Sequence, residues 1–244
     1  MSEVTAQPAV QARLLELQEL DTALDQARTQ IRRLKADPEL ARLRARAQEL
    51  EDALPEVEDA ARTADRAGAE SSEKAAATRA RRDRTRERLE AGQGGSKELQ
   101  AMQHEDGTLT ALLDEHEGAA LEAMEAADEA ESRLAAARQA LEQARAEVDA
   151  RAAEVRREGQ VVTQRGRDLT QRRTALAAVF PAPLLALYEK ARERNGGIGA
   201  ARLVGRRSQA SGTELSPADV ARIEALPPAA VARCPESGAI LVRG

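Results

Sequence analysis

The stretch that decides the fold is residues 99–176, LQAMQHEDGTLTALLDEHEGAALEAMEAADEAESRLAAARQALEQARAEVDARAAEVRREGQVVTQRGRDLTQRRTAL. Every seventh position reads Leu99, Asp106, Leu113, Ala120, Ala127, Leu134, Leu141, Val148, Val155, Val162, Leu169 and Leu176, and only Asp106 is polar. A companion row runs Met102, Leu109, His116, Ala123, Ala130, Ala137 and Ala144 before it reaches Arg151. Two apolar rows at this spacing share one helix face. A strict seven-residue repeat held over this length implies a left-handed supercoil.

Working backwards, Ala91-Gly92-Gln93-Gly94-Gly95 is a breaker cluster. Ser96 is the expected N-cap of the long helix, with Glu98 in its first turn. Upstream lies a second apolar seam. Leu17, Leu20, Leu24, Ala27, Ile31 and Leu34 alternate at three and four, in a helix that starts near Pro8. Asp37-Pro38 interrupts it, because the residue before a proline is pushed out of the helical region, and a kink is expected there. The seam resumes in a new frame as Leu40, Leu43, Ala47, Leu50, Leu54, Val57, Ala61, Ala64 and Gly68. Pro55 is a candidate second kink. A turn centred on Gln93 sets Leu17 beside Leu169 and Val10 near Leu176, so the arms match in length. The expected architecture is an antiparallel coiled-coil hairpin over residues 1–180, with arms of about 80 residues spanning roughly 120 Å.

Composition agrees. The chain has 244 residues, 32% of them charged, with one Phe, one Tyr and no Trp. A globular enzyme core of this length uses more aromatic area than that, whereas Ala, Leu, Glu and Arg favour helix. The net charge of -5 gives no global attraction for nucleic acid. MSEVTAQPAV has no signal-peptide pattern and no run of about 18 apolar residues occurs, so a cytoplasmic location without membrane spans is expected.

After Pro183 the pattern changes. Residues 184–194 read as a short helix closed by Asn195-Gly196-Gly197, and residues 198–204 as a strand. Ser216-Pro217 opens another helix, and residues 231–233 and 239–242 read as two short strands. Residues 181–244 form a small α+β tail. A unit of this size with little apolar content usually needs a metal, staples or docking. Leu184, Leu185, Tyr188, Leu203, Ile240 and Leu241, with Phe180, are the candidates for docking on the hairpin base.

The tip segment Gly95-Ser96-Lys97-Glu98-Leu99-Gln100-Ala101-Met102-Gln103-His104-Glu105 and the tail together resemble a bacterial family. Its members pair a long coiled-coil hairpin with a C-terminal C4-type zinc ribbon. The tail residues that carry the resemblance are Ala201 to Arg207, Leu215 to Asp219 and Cys234 to Val242. The ribbon's two Cys-x-x-Cys knuckles fall on Ser208, Ser211, Cys234 and Ser237, so the spacing survives and three of four thiols do not. A closed zinc site wants four thiolate or imidazole ligands. The expectation is a degenerate ribbon with no metal and no cofactor. The resemblance implies adaptor or chaperone-like binding, with links to the nitrogen-regulation type of alternative sigma factor and to flagellar or type III export components.

Candidate partner-binding residues are Arg79, Arg81, Arg82, Arg84, Arg86 and Arg88 near the tip, with Lys97 and His104, and Arg202, Arg206 and Arg207 in the tail. The tip arginines fit an acidic protein, or nucleic-acid phosphates as the second choice. They also fit a solvated face paired with Glu98, Glu105 and Asp106 on the other arm. Arg82 is set within a turn of His104 and Asp106. Arg202, Arg206 and Arg207 also fit a charged strand edge. No catalytic constellation or phosphate loop is present in the sequence. The expected function is non-enzymatic protein binding, by a monomer or a homodimer. A pair of hairpins forming a four-helix scaffold is a further alternative.

Overall fold

The computed structural model describes residues 4–243. Met1–Glu3 and Gly244, at the outer ends of the two expected domains, lie outside the described residues. The chain is a mainly helical long hairpin with a small strand-containing C-terminal part. Its helices are α1 (Pro8–Lys35), α2 (Pro38–Glu90), α3 (Ser96–Ala177), α4 (Ala182–Arg194) and α5 (Pro217–Glu224). The strands are β1 (Ala200–Val204), β2 (Arg207–Ser208), β3 (Ala232–Arg233) and β4 (Ile240–Val242). Residues group into two compact units, Pro38–Ala152 and Met1–Asp37 with Ala153–Gly244. The expected boundary at 180/181 falls inside the second.

Each break in the helical pattern has a local cause. The α1 helix ends before Asp37-Pro38, with the Ala36 amide donating to the Arg32 and Arg33 carbonyls. Pro38 then opens α2, where a missing N–H costs nothing. Pro55 does not interrupt α2. At the 91–95 turn, Gly92 and Gly94 take positive φ values of 62° and 124°. The Glu98 carboxylate accepts from the Gly95 amide at 2.8 Å, and Ser96 is the first residue of α3 rather than its cap.

In unit 38–152, α2 and the first part of α3 run antiparallel. Every expected seam position of α2 from Leu40 to Gly68 is buried or half-buried, and on α3 Met102, Leu109, Leu113, Ala120, Ala130, Leu141 and Ala144 are buried. The arms come close at Gly68, where a Cβ would lie 3.5 Å from the Ala123 carbonyl oxygen. Ion pairs cross the seam from Glu51 to Arg145 and from Glu58 to Arg138. The register differs from a turn simply centred on Gln93. Such a turn sets Arg79 opposite Gly107, yet Arg79 pairs with Glu117. Helical side chains lean towards their own N-terminus. In an antiparallel pair the two sets of side chains therefore lean in opposite directions, and Arg79 and Arg86 pair further along α3 than backbone symmetry suggests, with Glu117 and Asp106, while Arg81 meets Glu105, the partner that symmetry gives.

In the other unit, α1 and the last part of α3 carry α4 and a four-stranded sheet of order β2-β1-β4-β3. The central pair, β1 and β4, is parallel, with Ala201 opposite Leu241, and both outer pairs are antiparallel. One core joins helices to sheet, with Leu14, Leu17, Leu176, Phe180, Leu184, Tyr188, Ala200 and Ile240 all buried. A second core lies under α5, from Leu215, Val220, Ile223, Ala232, Cys234 and Leu241, with Leu203 packed against it. Leu184, Tyr188, Ile240 and Phe180 thus dock as the sequence suggests, while Leu203 and Leu241 close the second core instead. Ser216 caps α5, its Oγ accepting from the Asp219 amide at 3.1 Å. The Arg243 guanidinium donates to the carbonyls of Ile223, Leu226, Pro227, Pro228 and Ala230, satisfying the end of α5 and the loop after it.

Two glycines should behave oppositely. At Gly199 a Cβ would stand 2.5 Å from the Tyr188 ring and 2.8 Å from its carbonyl oxygen. Gly118, inside α3, has nothing within 4 Å. Gly199→Ala should lower the thermal midpoint through overpacking of about 1–3 kcal/mol, whereas Gly118→Ala should raise it by up to about 1 kcal/mol of helix propensity. Calorimetry on the two variants checks both signs.

Candidate functional site

Three groups of side chains stand out. The first is the arginine row near the turn of unit 38–152. Arg79 pairs with Glu117, Arg81 with Glu105 at 2.6 Å and Arg86 with Asp106 at 2.7 Å. Arg82 turns to its neighbour Asp83 at 2.7 Å, so the expected approach of Arg82 to His104 and Asp106 is replaced by the Arg86–Asp106 bridge. The hydrogen bond to Asp106 holds the Arg86 guanidinium above its ordinary pKa, and that to Glu117 does the same for Arg79. Thus Glu105 and Asp106 do neutralise part of the row, while Glu98 is used at the turn. Arg84 and Arg88 are exposed, and among the described residues neither has a carboxylate partner. Lys97 and His104 are exposed beside the same turn. His116 sits half-buried in the seam, its Nδ1 2.9 Å from the Thr78 hydroxyl.

The second group is the four tail positions Ser208, Ser211, Cys234 and Ser237, which the fold brings together. Ser208 Oγ lies 3.5 Å from Cys234 Sγ, and Ser211 Oγ lies 3.7 Å from it. Ser208 and Cys234 are buried. Burial alone would push the Cys234 thiol up, but hydrogen bonds from the Ser208 side chain, from the Ser237 backbone and side chain and from the Glu236 backbone outweigh it, lowering the pKa to about 7. The set offers one thiolate and three hydroxyls, and a neutral hydroxyl is a weak donor to zinc. Arg202, Arg206 and Arg207 are all exposed, on β1, on the turn after it and on the edge strand β2. They do not converge with the thiol.

Sequence reading missed the third group. Asp21 is buried in α1, between the seam residues Leu17 and Leu24. Its carboxylate accepts from the Tyr188 hydroxyl at 2.8 Å and from Arg173 at 3.1 Å, with Arg192 at 3.5 Å. Burial, reinforced by the hydrogen bond to Asp21, raises the Tyr188 pKa. Burial alone would lower that of Arg173, but its bonds to Asp21 and Glu189 raise it. Beside Asp21, Gln18 accepts from the Gly199 amide at 2.7 Å and donates to the Gly197 carbonyl at 2.8 Å. An acid inside an apolar seam was the available signal.

Two outcomes follow. The Cys234 thiol titrates near 7 when folded, below the ordinary value of about 8.5 for an unfolded chain. The unfolded state then binds more protons between these values, so the thiol stabilises the fold at high pH and loses that effect as pH falls through 7. The difference in thermal midpoint between the native chain and Cys234→Ser should move in favour of the native chain from pH 6 to pH 9. At the turn, a double-mutant cycle of Arg86→Ala and Asp106→Ala should show only weak coupling that fades as salt rises, because the pair is open to solvent.

The comparisons with known proteins agree with this architecture. The sequence profile of the CT398-like coiled coil hairpin domain matches residues 17–196. An uncharacterized protein of Mycobacterium tuberculosis is 31% identical over 235 residues, 96% of each chain. A solved structure from Mycobacterium smegmatis is 30% identical, with a TM-score of 0.78 over 99% of this chain and 100% of that one. CT398 from Chlamydia trachomatis shares the fold at 16% identity, with a TM-score of 0.61 over 97% and 98% of the two chains. With the profile spanning most of its length and the hairpin seen in the structure, the chain belongs to the CT398-like coiled coil hairpin family.

Proposed function

We propose that this chain is a non-enzymatic adaptor or chaperone-like protein that binds a protein partner through the turn of its hairpin. The observation that carries this reading is the pair Arg84 and Arg88. They are exposed, and no carboxylate neutralises them among the described residues, in a row where the other four arginines are paired. Unpaired, extended cations beside an exposed Lys97 suit an acidic protein surface, where they would speed encounter and select the partner. No aromatic interleaves with the row to stack bases, which makes nucleic acid the second choice. The resemblance to hairpin proteins linked to alternative sigma factors and export components points to partners from transcription or secretion machinery.

The tail supports that role as a metal-free relative of a zinc ribbon. In this reading Cys234, ringed by Ser208, Ser211 and Ser237, holds the two knuckles by hydrogen bonds. The two apolar cores supply what a metal supplies in a ribbon. No helix among the described residues is long and apolar enough to cross a membrane, and the reading places the protein in the cytoplasm.

Affinity purification of the native chain from its own cells, with quantitative mass spectrometry, should recover a protein in near-stoichiometric amount. The double variant Arg84→Glu and Arg88→Glu should lose it by about tenfold or more. Recovery unchanged in the variant would remove the turn as the surface. Binding of duplex DNA or RNA with a steep salt dependence, lost in the same variant, would favour nucleic acid instead.

A further inference from the structure

A second surface lies on the unit that contains α1 and the end of α3, well away in sequence from the turn. Here the two helices leave an open groove between them. Its floor is aliphatic, made by Leu24, Ile31, Leu34, Val155 and Val162. Leu24 and Val162 are buried, but Ile31, Leu34 and Val155 are only half covered. Gly159 and Gly166 line it from α3, and a Cβ at either would meet nothing within 4 Å. In a closed seam those positions would touch the other arm. The rim is strongly basic, with Arg28, Arg32, Lys35, Arg156 and Arg167. Among the lining residues Asp25 is the one acid, and it is already engaged by Arg28 at 3.1 Å and by Arg192.

We propose that this groove receives an acidic amphipathic helix of a protein partner, its apolar stripe on the aliphatic floor and its carboxylates against the arginine rim. Along α1 the groove runs from Leu24 to Lys35, about 17 Å at the helical rise, which suits a segment of about three turns. The chemistry separates this occupant from two others. A second copy would bring the same basic rim onto itself, because a two-fold contact pairs a surface with its own image. Nucleic acid would satisfy the rim but would leave the aliphatic floor without an apolar partner, and no aromatic is present there to stack a base. The basic rim also stands on a chain whose net charge is -5, so the positive potential is local. The proposal rests on the reading of this chain as a protein-binding protein, but not on the arginines of the turn.

The test pans the full chain against a displayed library of random 16-residue peptides. Winning peptides are then measured by fluorescence anisotropy. Enriched sequences should carry Leu, Ile or Met at i, i+3, i+4 and i+7, flanked by Asp or Glu, and their affinity should fall as salt rises. Gly166→Leu, which fills the floor, should weaken them by about tenfold or more. So should the pair Arg156→Glu and Arg167→Glu, whose exposed positions leave folding intact, with circular dichroism as the check. Arg84→Glu with Arg88→Glu should leave them unchanged. No enrichment, basic or unpatterned winners, or winners indifferent to both groove variants would overturn the proposal. Winners lost only in the turn variant would also overturn it, while leaving the protein-binding reading intact. Sedimentation showing self-association that Gly166→Leu abolishes would assign the groove to a second copy. Duplex DNA binding lost in the rim variant would assign it to nucleic acid.

Discussion

The fold of the unit that joins the helix ends to the tail depends on one buried carboxylate. Asp21 has a side chain only 4% exposed, and a charge in that position is tolerated only when paired and hydrogen-bonded. Its partners come from two other elements: Arg173 on α3, and Tyr188 and Arg192 on α4. The two arginines also reach outward, Arg173 to Glu189 and Arg192 to Asp25. Apolar contacts around Leu14, Leu17 and Leu184 hold these elements together but do not fix a direction. The Asp21 network, with Gln18 bonded to the backbone at Gly197 and Gly199, selects one way of seating α4 and β1 on α1. We assign to it specificity rather than net stability, because a buried ion pair often costs as much as it returns.

That seating governs the sheet. Gln18 accepts from the Gly199 and Ala200 amides, where β1 begins, and β1 then pairs in parallel with β4. A parallel pair needs a long crossover. Here the chain between β1 and β4 holds β2, α5 and β3, and the second core forms beneath that crossover. The N-terminal segment closes the other side. Ala6 donates to the Ala229 carbonyl at 2.8 Å, and the Gln11 side chain bonds both Ala6 and Pro228. The tail therefore has its core and its edges shared with α1, which suits a small unit whose own apolar content is low.

Much of this was legible in the sequence. The seam from Leu40 to Gly68 and the heptads of α3 are periodic over many turns, and period is the strongest signal a sequence carries. Pro8, Pro38, the 91–95 glycines and Ser216-Pro217 mark element ends by local backbone chemistry, so they too could be read. What was hidden is of another kind. The two-residue strand β2 has too little sequence to show a period. The partners of Asp21 lie more than 150 positions away, and their meeting depends on how α4 folds back. The Arg86–Asp106 bridge in place of Arg82–Asp106 follows from side-chain lean, which a register drawn on backbone symmetry leaves out. Ser208 and Ser211 meet Cys234 at positions that the sequence had singled out only by their spacing.

Glycine acts differently at Gly68 from the way it acts at Gly159 and Gly166. In unit 38–152, a Cβ on Gly68 would stand 3.5 to 3.9 Å from Ala123 and Ala127, so the missing side chain lets two backbones approach and leaves little space. In the other unit, a Cβ at Gly159 or Gly166 would meet nothing within 4 Å, and these glycines line a groove with half-covered Val155 and Ile31. Glycine inside a helix costs about 1 kcal/mol relative to alanine, and at Gly68 close packing offsets that. At Gly159 and Gly166 nothing within the described residues does. An uncompensated cost repeated seven positions apart, on the face that bears a basic rim, is what a helix would show if its packing partner were supplied by another molecule.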